Sequence, residues 1–242
     1  MRLLTHSKAT GSTERVGRTQ SNIGVLYWYF GEYDKALDYL QHALRVAELC
    51  RDITWINSTR MNIGNVYANA GDDVRALEYL YKGFAEAEKN TPGATAVIAS
   101  FLMNIANVFH RMGDYGQALE YHLRSLALRE EIGARQYIAT SLMNIGIVYK
   151  ENGQNEFGLN YLLRGLDMYN DIGAEGEKSR CLVNLANVEN SLGHPDAAQQ
   201  YAEQCLDICA NNGDKRTASY ALHTLGRVWY IRGDNDTALN LF

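Results

Sequence analysis

The sequence predicts an all-α fold built from about six stacked helical hairpins. Three observations predict it. A ten-residue phrase recurs at a fixed interval, as "NIGNVYANAG" (62–71), "NIANVFHRMG" (104–113) and "NIGIVYKENG" (144–153). The residues between these phrases repeat an apolar pattern of helical period. Helix breakers are scarce: the 242 residues include only two prolines, Pro92 and Pro195.

The register is set by Asn22, Asn62, Asn104, Asn144 and Asn184, with Thr224 in the sixth place; the spacings are 40, 42, 40, 40 and 40. Nine residues after each comes a glycine, from Gly31 to Gly233. Internal periods of this size mean stacked supersecondary units. The copies run over 12–51, 52–93, 94–133, 134–173, 174–213 and 214–242, the last incomplete.

Within a copy, the first helix carries its apolar stripe ahead of the glycine: Ile63, Val66 and Tyr67; Leu102, Ile105 and Phe109; Leu142, Ile145 and Tyr149. A small residue sits one place after the Ile or Leu: Gly24, Gly64, Ala106, Gly146, Ala186 and Gly226. It lets a second helix come close. That second helix begins after the turn, with its own small residue (Ala36, Ala76, Ala118, Gly158, Ala198, Ala238) and, in five copies, a tyrosine three places on. Gly133, Gly173 and Gly213 are placed to end it, as a residue past a helix C-terminus should. Each helix is about 16 residues, or ~24 Å. One such hairpin cannot bury its apolar face alone, so neighbours must stack.

These residues resemble the tetratricopeptide repeat over nearly the whole chain. The first-helix small residue, the aromatic three places later (Tyr27, Tyr67, Phe109, Tyr149, Trp229) and the second-helix small residue carry the likeness. Copy five departs from it, with Glu189 where the aromatic belongs, and the period is 40 where the usual one is 34. The longer period is similar to the kinesin light chain and Pins type of adaptor and to sensor regions of bacterial signalling proteins. The resemblance implies a right-handed α-α superhelix whose first helices line a concave groove. Residues 1–11 align weakly with the tail of a second helix, and copy six stops in mid-helix, so the chain is expected to be cut at both ends.

Composition excludes several functions. Net charge is −5, and a nucleic-acid binder usually shows a basic surplus. No apolar run approaches the ~18 residues of a membrane span. Cys50, Cys181, Cys205 and Cys209 have no CxxC spacing and read as free thiols of a reducing, cytoplasmic compartment. No P-loop, GxGxxG, HExxH or zinc-spaced Cys/His set occurs, so no catalysis, cofactor or metal is expected. "RGD" at 232–234 reads as a helix–helix turn with an N-capping acid.

The groove carries the functional expectation. The stripe beside the packing stripe holds Arg18, Arg111, Lys150, Arg180 and Arg227 against one acid, Glu151. Five cations in a chain of net −5 are an electrostatic footprint for an acidic ligand. Asn62, Asn104, Asn144 and Asn184, with Asn65, Asn107 and Asn187 beside them, supply carboxamides that can hold the backbone of an extended peptide. Bracing of neighbouring first helices is the competing role for the first set. Met61, Met103 and Met143 are expected to offer adaptable apolar contact. Some relatives grip a C-terminal carboxylate with two lysines, two asparagines and an arginine. Asn107, Asn144 and Arg180 match that layout, whereas Met103 replaces a lysine and Asn184 the arginine.

The expected function is a non-catalytic scaffold that binds an extended, acidic peptide segment. The alternative is a sensory region of a larger bacterial signalling protein (a nucleotide cyclase, histidine kinase or transcription regulator) with its output domain outside this chain. Exposed solenoid ends would also support self-association.

Overall fold

A computed structural model of the chain describes the backbone at residues 2–90 and 93–241, and the side chains at 13–89 and 93–241. Twelve helices and no strand form among the described residues. They are α1 (Arg2–Tyr29), α2 (Tyr33–Cys50), α3 (Ile53–Asn69), α4 (Asp73–Asn90), α5 (Thr95–Arg111) and α6 (Tyr115–Glu131). Then follow α7 (Arg135–Glu151), α8 (Asn155–Ile172), α9 (Glu175–Leu192), α10 (Pro195–Asn212), α11 (Lys215–Ile231) and α12 (Asn235–Leu241). Residues 2–11, which align with the tail of a second helix, belong to the same helix α1 as the residues that follow; the side chains of residues 1–12 lie outside the described residues.

The turn within each copy forms because its glycine can take a left-handed conformation, whereas the turn between α2 and α3 uses Arg51 at φ +54°. Gly71 has φ +84°, a region that a Cβ disfavours. Its N–H donates to the Ala68 carbonyl at 3.2 Å, and the next N–H, of Asp72, donates to Tyr67 at 2.9 Å. This pairing satisfies carbonyls left open at the helix end. In some copies an acid then caps the next helix: Asp72 accepts from the Arg75 N–H, and Asp234 of the "RGD" turn accepts from the Thr237 N–H, both at 3.0 Å.

The contacts group the chain into two compact units, Met1–Asp114 and Tyr115–Phe242. In the first, α1 packs on α2 and α3 on α4, while α1, α3 and α5 also touch in sequence. In the second, α7 packs on α8, α9 on α10 and α11 on α12, while α7, α9 and α11 touch in sequence. Among the described residues, the helices two apart that pack together are first helices of the copies. Those helices therefore line the tighter, inner face of each unit.

Small residues make the hairpins close. A Cβ added to Gly64 would stand 2.8 Å from the Leu80 side chain, and one at Gly146 would stand 2.6 Å from Leu162. Aromatic rings lock the open end: Tyr67 lies 5.6 Å from Tyr79 and Tyr149 5.4 Å from Tyr161. Copy five has no ring to offer at Glu189. Its carboxylate is buried instead, 2.8 Å from Nδ1 of His194 in the turn.

The α7–α8 hairpin is the tightest test of this packing. Gly158 replaces the usual alanine, and a Cβ there would meet the Gly146 carbonyl at 2.9 Å and the Lys150 nitrogen at 3.2 Å, both backbone atoms. Gly158→Ala is expected to destabilise the protein by about 1–3 kcal/mol. Gly176→Ala, which points into open space, should stabilise it by about 0.5 kcal/mol. Urea unfolding of the two variants checks the opposite signs.

Candidate functional site

In the first unit, α3 carries Asn62 and Asn65, and α5 carries Asn104, Asn107 and Arg111. Asn107 is exposed and the other three asparagines are half-buried. None of the four carboxamides makes a hydrogen bond to the described residues, so their donors and acceptors stay open. The cations of this unit are not open. Arg111 is paired with Asp73, its Nε 2.9 Å from the carboxylate. Arg18 reaches Glu14 at 2.9 Å and Asp52 at 2.6 Å. Two of the five cations that the sequence places on this face are therefore neutralised by acids at nearby helix starts. A stripe count cannot see those acids, because they lie outside the stripe.

The second unit differs. Its inner face takes Asn144 and Lys150 from α7, Arg180, Asn184 and Asn187 from α9, and Arg227 from α11. Lys150 Nζ donates to Asn184 Oδ1 at 3.5 Å, and Asn184 Nδ2 donates to the Arg180 carbonyl at 2.9 Å. The Asn187 carboxamide donates to the Val183 carbonyl at 3.0 Å. The Thr224 hydroxyl of α11 lies 3.2 Å from Asn187 Oδ1 and 2.9 Å from the Tyr220 carbonyl, and shares its proton between them. So Asn184 and Asn187 do brace neighbouring first helices, while Asn144 makes no side-chain hydrogen bond among the described residues.

The charges here are less well compensated. Among the described residues, Arg180 and Arg227 make no ion pair or side-chain hydrogen bond. Burial holds the Lys150 amine below its ordinary value; Glu151, 3.8 Å away, pulls it up, and Arg227 pushes it further down. A cavity of about 620 Å³ opens between α9 and α11. Arg180, Asn184 and Asn187 line it together with Val183, Asp214, Arg216, Thr217 and Tyr220. Asp214 is held ionised below the usual carboxylate range by the hydroxyl and N–H of Thr217.

Asp214 and Arg216 are missed by the sequence analysis because they precede the repeating stripe. The available signal was the capping spacing of Asp214 and Thr217, which brings the intervening arginine to the start of α11. Met143 corrects an expectation in the other direction. It is 1% exposed and packs with Leu162, Tyr169 and Leu185 in the core, so it offers nothing to a ligand. It is enclosed by α8 and α9: a Cβ at Gly165 of α8 would stand 3.5 Å from its backbone nitrogen, and Cys181 and Leu185 of α9 belong to the same cluster. Met61 and Met103 are half-buried. Of the residues that match a carboxylate clamp, Asn107 belongs to the first unit and Asn144 and Arg180 to the second.

No cluster of three metal-ligating side chains occurs among the described residues. Cys205 and Cys209 sit 3.9 Å apart, both buried, and burial followed by the neighbouring thiol pushes Cys205 up to about 12. Both are packing thiols, and Cys205 is neutral. No described helix is long and apolar enough to cross a membrane.

Hairpins of this register and packing define a class, the helical-repeat proteins that serve as protein-interaction scaffolds. Family models described as tetratricopeptide repeat match residues 97–171, and 16–49 with 179–211, together more than half of the chain. The chain belongs to the tetratricopeptide-repeat family. No curated protein matches it by sequence. Among solved structures, it is similar to aspartyl phosphate phosphatase F from Bacillus subtilis, at 13% identity over 99% of this chain and 71% of that one, with a TM-score of 0.81. It is similar to a signal-transduction ATPase with a tetratricopeptide-repeat sensor from Pyrococcus horikoshii, at 18% identity and a TM-score of 0.78. That match covers 93% of this chain but 35% of the ATPase. A Rap protein complexed with competence and sporulation factor matches at 12% identity over 92% of this chain and 71% of its own, with a TM-score of 0.70. At these identities the likeness is one of fold.

Lys150 generates a prediction about stability. Its depressed amine destabilises the fold wherever it is charged in both states. That cost disappears as pH rises from the folded value toward the ordinary lysine value near 10.4. Lys150→Met is therefore expected to be more stable than the parent at pH 7. Its advantage should shrink as pH approaches 10, as followed by thermal melts across that range.

Proposed function

We propose that this chain is a non-catalytic, cytoplasmic scaffold that binds an extended acidic peptide segment on the inner face of its first helices. The observation that carries this reading is the set of arginines without ion pairs, Arg180, Arg216 and Arg227, beside carboxamides with open hydrogen-bonding capacity. Arg111 and Arg232, by contrast, are paired with Asp73 and Asp196. Unpaired cations on a concave surface lower the energy of an anionic ligand and steer its approach. Carboxamides add backbone contacts that do not depend on ligand side chains. The Rap protein solved with a bound factor supports ligand binding by a fold of this kind.

A second reading follows from the Pyrococcus ATPase, whose repeat region is described as a sensor. In it, the same inner face is the input of a larger signalling protein, and the output chemistry resides in another domain. Both readings assign the same residues to the ligand.

The test uses decaglutamate as the probe and backbone amide shifts as the readout. Addition of the peptide should shift residues on the inner faces of α7, α9 and α11. The affinity should fall at least tenfold between about 50 and about 300 mM salt. The Lys150→Glu, Arg180→Glu double variant should lose the response. Unchanged affinity and salt dependence in that variant would remove the groove assignment.

A further inference from the structure

The cations of the second unit are not spread evenly. Arg216 and Arg227 stand eleven residues apart on α11, about three full turns at 3.6 residues per turn, so both lie on one face of that helix. Their separation along the axis is about 16.5 Å. Arg180 of α9 shares the cavity with Arg216. Lys150 of α7 reaches across to Asn184 of α9 and lies within electrostatic range of Arg227. The face therefore holds two cationic stations, Arg180 with Arg216 and Lys150 with Arg227. Each has one acid at hand: Asp214 beside the first, Glu151 beside the second. Each station is left with a net positive charge.

Asn184 and Asn187 stand beside these stations. Their bonds to Lys150, Thr224 and the α9 carbonyls use one N–H and one acceptor position of each carboxamide. A carboxamide has two N–H donors and two acceptor lone pairs, so each keeps one of both for a ligand. An extended chain advances about 3.3 Å per residue. It covers the distance between the stations in about five residues.

We propose that the ligand is an extended segment with two acidic side chains four to six residues apart, lying along α11. One acid meets Arg180 and Arg216, the other meets Lys150 and Arg227. The intervening backbone is held by Asn184 and Asn187. The inference rests on the groove reading and adds a register to it.

Selection of a random twelve-residue peptide library on the immobilised 242-residue chain tests it. Among retained sequences, Asp or Glu pairs four to six residues apart should exceed pairs two apart by about fivefold, the factor expected of one additional ion-paired contact. On Arg216→Ala or Arg227→Ala protein, both exposed sites whose helical circular dichroism should be unchanged, the spacing preference should vanish while enrichment for acids persists. Enrichment for acids with no preferred spacing would overturn the register and leave the groove reading intact. A spacing preference that survives both substitutions would also overturn it. No enrichment for acids at all would overturn both.

Discussion

The close approach of two helices across a small residue is the constraint on which the rest of this structure depends. A Cβ at Gly24, Gly64 or Gly146 would stand 2.6–2.8 Å from the leucine of its partner helix, at Leu40, Leu80 or Leu162. Each leucine is fully buried. With the helices this close, the aromatic pairs at the open end come into contact, and each hairpin becomes a rigid plate. A plate of two amphipathic helices still has an apolar face to bury, so the next must stack on it. Stacking brings the first helices into contact with one another and leaves the second helices apart. The inner face is a consequence of that asymmetry, and its side chains are placed by packing before any ligand is considered.

Electrostatics then divides the two units. At several helix starts an acid caps the helix or pairs with an arginine from elsewhere in its unit: Asp52 does both, with the Trp55 N–H and Arg18, and Asp196 pairs with Arg232. Exposed pairs of this kind contribute little stability, commonly below about 1 kcal/mol. Their larger effect is to cancel fields. In the first unit they neutralise Arg18 and Arg111 and leave a polar, carboxamide-rich face. In the second, Asp214 binds Thr217 and lies beside Arg216, while Arg180 and Arg227 make no ion pair among the described residues. The same repeat thus yields two faces of different character.

The architecture was legible in the sequence because it is written six times. Periodic glycines, small residues and aromatics each reported a local requirement, and those requirements agree. Side-chain partnerships were less legible because they are not periodic. Arg18 and Arg111 find acids displaced from the stripe in sequence but close in space. Met143 shares its register position with Met61 and Met103, yet is enclosed by Leu162 and Tyr169 of α8 and Cys181 and Leu185 of α9. Glu189 read as a missing ring; its carboxylate and His194 fill that place with a hydrogen bond. Periodicity determines which face a residue occupies, whereas its partners depend on neighbours that differ from copy to copy.

Copy five departs furthest from its own repeat, and its first helix, α9, lines the cavity. Glu189 is buried where a ring would pack, and the adjacent Asn190 is 5% exposed with neither carboxamide atom hydrogen-bonded. A buried carboxamide without partners costs about 1–3 kcal/mol. Lys150, pressed against the same helix, adds an amine whose charge is disfavoured by burial. An apolar residue at either position would suit the fold better. Local rules broken without a gain in stability are expected where function constrains the residue. Three such departures gather on or against α9, the helix that also carries Arg180, Asn184 and Asn187, and a ligand on that face is the reading under which their cost has a purpose.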